Sequence, residues 1–376
     1  MTPDERELRR ALDARSGAPS PDFGARVGKA LSAGQQHPNL MPAVAAFVVA
    51  VLTVATVGVL VYTRSSRPPS HVGPASASRT TSPAPSPPGP YYPTTTQLSA
   101  PSHNVVWAFV ADTFLYVSTD RGDAWAQRAL PAVEGGGPLE VSFVDANQGW
   151  LSVPGIPETQ CNAAGIAIWH TSDGARTWER LTTTGIADRQ CKQGLSFTDA
   201  RHGFISGWDD NNPPVVYRTA DGGLTWKASA PIPDPPGFKT SGGGDALRVH
   251  QVWGSGGAYL MTAYGTQPTG GRAYVFRSGD GGATWTYAAD VPNPAVSVAF
   301  ITASHWLQVG APGQSVETTD GGKSWHAYAS DYSQAAPIAP EVVFGDAMVG
   351  YATVRGAIQR TVDGGLHWTP IRAPGT

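Results

Sequence analysis

RSGDGGATW, residues 277–285, packs Asp280 between small residues and ends on a tryptophan. Five relatives of this phrase recur along the chain: STDRGDAW (118–125), TSDGARTW (171–178), TADGGLTW (219–226), TTDGGKSW (318–325) and TVDGGLHW (361–368). The six aspartates are Asp120, Asp173, Asp221, Asp280, Asp320 and Asp363, spaced 53, 48, 59, 40 and 43 residues apart. Each phrase reads as a hairpin turn. The Ser or Thr before the Asp closes one strand, and the aspartate accepts hydrogen bonds from the following backbone. Glycines supply positive φ without steric cost. Trp125, Trp178, Trp226, Trp285, Trp325 and Trp368 open the next strand, where a large ring can be buried under the turn.

A second phrase precedes most copies. VSFVDANQGWLSV (141–153), LSFTDARHGFISG (195–207) and VVFGDAMVGYATV (342–354) share F-x-D-A-x-x-G-aromatic, which reads as strand, short turn, strand. VAFITASHWLQVG (298–310) is a degraded form, and VHQVWGSGGAYLM (249–261) and QLSAPSHNVVWAF (97–109) are looser. A period of this length points to propeller blades of four strands. The expected fold is therefore all-β, a six-bladed β-propeller, with blades near 94–130, 138–184, 193–230, 246–290, 295–329 and 340–373. Each blade supplies its own first strand, so the sequence offers no exchanged strand to close the ring.

The S/T-x-D-x-G-x-T-W phrase resembles the Asp-box, or BNR repeat, of sialidases, sortilin-type receptors and related propellers. That resemblance implies structural turns on the outer rim, away from any binding centre. The combined pattern over residues 94–373 is most similar to the photosystem II stability and assembly factor family, which implies a scaffold or assembly role. Some copies depart from the motif. Ala175 replaces a glycine, Ala124 and His367 replace the Thr, and Asp123 sits at a position usually small or apolar, so these turns are expected to be less regular.

Upstream of the repeats, no Asp, Glu, Lys or Arg occurs between Lys29 and Arg64, and residues 40–62 are almost wholly apolar. About 20 such residues span a bilayer, and the stretch is longer than the core of a cleaved signal peptide. It reads as one transmembrane helix over 40–63, an uncleaved signal anchor that precedes the propeller. Residues 1–39 carry Arg6, Arg9, Arg10, Arg15, Arg26 and Lys29 against Arg64, Arg67 and Arg79 after the span, a balance that leans to a cytoplasmic N-terminus. Their short amphipathic patterns resemble the cytoplasmic stubs of membrane regulators such as anti-sigma factors, and are also common in plain solvated tails. Residues 64–93 are rich in Pro, Ser and Thr, the composition of a disordered extended stalk. The reading is a single-pass membrane protein whose domain 94–376 lies outside the cytoplasm.

Strand order fixes where each loop emerges. A–B and C–D loops share one face, occupied by the two repeated turns. B–C and D–A loops share the other, which receives the long irregular segments 153–166, 183–194, 208–215, 230–246, 264–273 and 330–340. Loops on a rigid scaffold are where function concentrates. A protein or glycan partner is therefore expected on this loop face, near blades 2–4. Candidate contact residues are Asp209, Asp210, Lys239, Tyr264, Arg272 and Tyr332. Asp209 and Asp210 could also offer oxygens to calcium, though Asp and Asn before two prolines are usually turn formers. Cys161 and Cys191, the chain's two cysteines, fall on the same face at neighbouring blades, which suggests a disulfide and an oxidising compartment.

The net charge of −3 gives no basic field for nucleic acid. The histidines lack ligand spacing, so no metal or other cofactor is expected. A sialidase would need a Phe-Arg-Ile-Pro motif, which is absent, and the propeller's glutamates (134, 140, 158, 179, 317, 341) form no evident catalytic pair. A binding or scaffold module rather than an enzyme is the reading; the alternative is a sialidase-like glycoside hydrolase.

Overall fold

The computed structural model describes residues 96–374, apart from 134–137, 156–164, 210–211, 241–246, 266–270, 333–339 and 355–356. Contacts divide the chain into two units, Met1–Ala84 and Pro85–Thr376, and every described residue belongs to the second. The segments 1–39, 40–63 and 64–93 lie outside the described residues. Among the described residues no helix is long and apolar enough to cross a membrane.

The described chain forms six antiparallel four-stranded sheets, each a simple meander. Blade 1 holds β1 (Thr96–Ser99), β2 (Val106–Val110), β3 (Phe114–Ser118) and β4 (Ala126–Arg128). Blade 2 holds β5 (Glu140–Phe143), β6 (Gly149–Pro154), β7 (Ile166–Thr171) and β8 (Glu179–Arg180). In blade 3 they are β9 (Cys191–Phe197), β10 (Gly203–Trp208), β11 (Val215–Thr219) and β12 (Lys227–Ala228). Blade 4 has β13 (Leu247–Ser255), β14 (Ala258–Gly265), β15 (Arg272–Ser278) and β16 (Thr286–Asp290). Blade 5 has β17 (Ala299–Phe300), β18 (Trp306–Gln308), β19 (Val316–Thr318) and β20 (His326–Ala327). Blade 6 completes the set with β21 (Glu341–Phe344), β22 (Gly350–Val354), β23 (Ala357–Thr361) and β24 (Thr369–Ile371).

The Asp-box turns share one bonding scheme. In blade 4, Asp280 Oδ1 accepts from the Ser278 hydroxyl (2.8 Å) and the Thr284 N–H (3.0 Å), and Oδ2 accepts from the Thr284 hydroxyl (2.6 Å). Gly282 N–H donates back to Ser278 Oγ at 2.9 Å. These donors favour the charged carboxylate, so Asp173, Asp280 and Asp320 sit well below the ordinary range, led in each case by the hydroxyl four residues on, that of Thr177, Thr284 or Ser324. At Asp221 burial opposes the charge, but bonds from Thr225 and Thr219 outweigh it and hold the group at about 2.

The departures from the motif are absorbed locally. Ala175 takes up φ +60°, where the other copies have glycine, and its N–H still bonds Thr171 Oγ1 at 3.0 Å. His367 substitutes its ring Nδ1 for a threonine hydroxyl, 2.6 Å from Asp363 Oδ2. Ala124 has no hydroxyl to offer, and Asp120 keeps the bonds to Ser118 and the Ala124 N–H.

The F-x-D-A-x-x-G-aromatic phrase also has a physical explanation. Its aspartate caps the A–B turn: Asp145 accepts from Asn147 and Gln148 N–H, both at 2.6 Å, and Asp199 and Asp346 do the same in their blades. Its Phe pairs across strands with its Gly, Phe143 with Gly149, Phe197 with Gly203 and Phe344 with Gly350. The missing side chain lets the ring lie flat over the partner strand. Where the next blade carries the Phe, the aromatic of the blade before stacks on it. Trp150 lies on Phe197 at 3.6 Å and 3°, and Trp107, from the looser blade 1 copy, lies on Phe143 at 3.7 Å and 10°.

The core is consequently not central but divided among the blade interfaces. Each of six hydrophobic clusters joins one blade to the next, including blade 6 to blade 1 through Tyr351, Ile358, Val106 and Ala108. Ring closure uses no exchanged strand, since β1–β4 come from the first repeat and β21–β24 from the last. The seam instead gains polar locks. Trp125 Nε1 donates to the Arg372 carbonyl (3.0 Å), as Trp178 Nε1 donates to Ala129 one seam later (2.9 Å). Arg360 donates to the Arg121 carbonyl and to Asp123, each at 2.7 Å.

Candidate functional site

Two features share the loop face: the irregular loops and the mouth of an axial channel. The channel, about 690 Å³, is lined by the first strands of all six blades. Those strands enter from the loop face and end at the F-x-D-A turns. The channel thus runs from the Glu341 and Ser297 level to the Asp346 and Ser255 level.

On the loop face the segments of blades 3 and 4 are anchored rather than free. After β12, Ile232 and Phe238 are buried in the blade 3–4 core, and Phe238 packs edge-on against Tyr274. Asp234 ties this loop by accepting from the Thr240 N–H (2.9 Å) and hydroxyl (2.6 Å). Lys239, beside that anchor, is exposed. Arg272 is exposed at the start of β15, with its guanidinium 3.9 Å from Asp290 and 5.7 Å over the Tyr274 ring. Asp209 is half-buried and accepts from the Asn212 N–H (2.8 Å) and side-chain amide (3.0 Å), which closes the B–C turn of blade 3. Asp210 lies outside the described residues. Among the described residues no cluster of His, Cys, Asp and Glu could hold a metal ion.

Two candidate residues are placed differently from the sequence reading. Tyr332, taken as an exposed contact residue, is 2% exposed and packs edge-on against Trp368 at 5.7 Å. The reason is that the chain after β20 hugs the neighbouring Asp-box. Asp331 N–H bonds the Leu366 carbonyl, and Trp368 N–H bonds Asp331, which draws Tyr332 into the blade 5–6 core. Tyr264 is on β14 rather than in a loop. It is half-buried, meets the His250 ring at 4.7 Å, and lines the channel. Burial pushes its phenol up.

Several residues of the site carry no motif and escape a sequence reading. Arg248 lies 4.1 Å over the Trp208 ring, joining β13 to the end of β10 on the loop face. Lys192 is 4% exposed beside Cys191, and its ammonium donates to the Arg189 and Gln190 carbonyls at 3.2 and 2.8 Å. Burial lowers it to about 8, partly offset by Asp188. Cys161 lies outside the described residues. His250, exposed to the channel, and Glu341, half-buried, both line it. Burial disfavours the charged form of each, lowering His250 and pushing Glu341 up to about 7. The remaining described glutamates are differently placed. Glu140 accepts from the Gly194 and Leu195 N–H groups (2.9 and 2.8 Å), Glu317 pairs with His305 at 3.0 Å, and Glu179 is exposed.

A ring of six Asp-box blades around an open axis is the architecture of BNR-type propellers. The chain is similar to the assembly factor YCF48. Residues 265–373, in blades 4 to 6, match the family described as photosynthesis system II assembly factor YCF48. Among solved structures, YCF48 bound to D1 peptide is 17% identical with a TM-score of 0.42, over 72% of this chain and 94% of that one. YCF48 from Cyanidioschyzon merolae is also 17% identical, TM-score 0.43, over 74% and 85%. An α-L-arabinanase from Penicillium chrysogenum is 13% identical, TM-score 0.44, over 63% and 81%. At these identities the likenesses concern the fold alone. No curated protein matches the chain.

Proposed function

We propose that this protein is a membrane-anchored scaffold whose propeller, outside the cytoplasm, binds a protein partner on the loop face and acts in the assembly of a membrane complex. The observation that carries the reading is the asymmetry of the two faces. One face is closed by short turns whose polar groups are spent on themselves. The other carries the long irregular segments, the exposed Lys239 and Arg272, and the end of the channel lined by Glu341 and Ser297. The match of residues 265–373 to the assembly-factor family favours assembly over catalysis. Glu140 and Glu317 are held by other protein groups, which weighs against a paired-carboxylate hydrolase. Membrane attachment through 40–63, and a Cys161–Cys191 bridge on the loop face, belong to the same proposal. The bridge would tie the B–C loop of blade 2 to the start of β9.

Crosslinking and affinity capture with the full chain in native membranes tests this reading. A partner should be captured by the wild type and lost on combined Lys239→Glu and Arg272→Glu substitution. YCF48 carries a D1 peptide in its solved complex, so peptides are the ligands to try first. Turnover of a fluorogenic sialoside or arabinoside, with no captured protein, would replace the proposal by the hydrolase alternative.

A further inference from the structure

The six first strands place one equivalent residue per blade toward the loop face, of which Gln251, Ser297 and Glu341 line the channel. Each lies three positions before the residue paired with the strand facing the Asp-box Ser or Thr. They are Gln97, Glu140, Gly194, Gln251, Ser297 and Glu341. At four seams a side chain here bonds the backbone of the next blade. Gln97 donates to the Leu139 carbonyl (2.6 Å) and accepts from Val141 N–H (3.3 Å), and Glu140 takes two N–H groups of blade 3. Gln193, beside Gly194, donates to the Val249 carbonyl (2.9 Å), and Ser297 donates to the Pro340 carbonyl (3.0 Å).

Glu341 has no such partner: its carboxyl makes no hydrogen bond or ion pair with any described residue. The contrast with Glu140 is structural. Glu140 faces Gly194, whose φ of +74° and adjacent register shift turn two N–H groups toward it. Blade 1, whose β1 packs on β21, pairs β1 with β2 without a shift, and none of its N–H groups reaches Glu341. A half-buried carboxylate with no protein donor relies on the channel's solvent alone, so an occupant that supplies donors and positive charge would be favoured.

The rest of the channel fits such an occupant. None of its lining residues is Lys or Arg, and its acids are Glu341 and, at the far end, Asp346. The other ionisable linings are His250 and Tyr264, both on blade 4. Of the strands packed on β21, β1 and β17 carry no ionisable group and β22 carries Tyr351, whose phenol burial pushes up to about 12. Gln251, Ser297 and Glu341 come from three consecutive blades and supply acceptors around one mouth. That radial set suits the three donors of an ammonium better than the planar fork of a guanidinium.

We propose that the loop-face mouth of the channel is a lysine-binding site, in which Glu341 is the counter-ion and Gln251 and Ser297 are further acceptors for an ammonium group of the partner. The site rests on the partner-binding reading above and names the chemistry of what is recognised.

The test is saturation-transfer NMR and titration of the full chain with Nα-acetyl-lysine methylamide, its norleucine analogue and 1,5-diaminopentane, between pH 6 and 8. The lysine compound should bind, the norleucine one should not, and Glu341→Gln should weaken binding at least tenfold. A lysine amine stays protonated over this range, so affinity should rise toward alkaline pH as Glu341 ionises, by up to about tenfold, and Glu341→Gln should abolish that rise. Equal binding of norleucine, or an unchanged Glu341→Gln, overturns the site. Tighter binding of diaminopentane than of Nα-acetyl-lysine methylamide overturns the lysine assignment in favour of free amines. Amine binding without any captured partner keeps the site and removes the scaffold proposal; capture that survives Glu341→Gln does the opposite.

Discussion

Replacing Gly203 by alanine tests whether the Phe-over-Gly pairing holds the blades together. A Cβ at Gly203 would run into the Phe197 ring edge, closer than real Cβ contacts come. The ring cannot retreat, because Trp150 of blade 2 is stacked on it at 3.6 Å and Trp226 meets it edge-on at 6.1 Å. Overpacking of this kind costs about 1–3 kcal/mol. Against that, alanine relieves roughly 0.5–1 kcal/mol of glycine's excess chain entropy. Overpacking wins, and a net loss of about 1–2 kcal/mol follows, or a fall in Tm of about 2–8 °C. Gly149→Ala, which meets Phe143 in the same way, should match it, and Gly350→Ala, whose nearest Phe344 atom is 2.8 Å away, should be milder. Gly279→Ala is the control: nothing lies within 4 Å, its φ is not left-handed, and blade 3 has Ala220 at the same place. It should be neutral or stabilising by up to about 1 kcal/mol. The assay is urea and thermal unfolding of the fragment 94–376, followed by tryptophan fluorescence. Gly203→Ala at or above wild-type stability, or Gly279→Ala equally damaging, would refute the packing argument.

Glu341→Gln should also change the pH dependence of stability. The folded carboxyl is raised from 4.5 to about 7, so its protonated form is favoured by folding; stability is full below 4.5 and falls as pH rises through 7. The variant should therefore exceed the wild type by about 1–3 kcal/mol at pH 8–9 and equal it near pH 4, as read from urea midpoints. Tyr332→Ala should cost about 3–5 kcal/mol because it empties a core site, whereas Lys239→Ala should stay within about 0.5 kcal/mol; similar calorimetric Tm values for the two would contradict their placement. Reduction of the proposed Cys161–Cys191 bridge should destabilise the propeller by about 3–4 kcal/mol, and a Tm unmoved by reductant, with both thiols alkylatable beforehand, would remove it.

Blade number, blade order and turn type are all legible along the chain. The reason is that Asp-box and F-x-D-A-x-x-G phrases act within a dozen residues: a carboxylate bonds its own turn, and a glycine pairs with a ring six positions away. Only the tertiary structure decided what depends on neighbouring blades. EVSF at 140–143 and EVVF at 341–344 look alike, yet Glu140 meets two N–H groups released by a bulge in blade 3 while Glu341 meets an unshifted strand in blade 1. Tyr332 reads as a loop residue, but the Asp-box of the following blade draws it inward. Arg248 and Trp208 belong to separate blades and carry no motif, so their stack is invisible along the chain. Local hydrogen bonding fixes what a repeat is; which of its side chains are spent and which are left to bind is settled by the blade it is packed against.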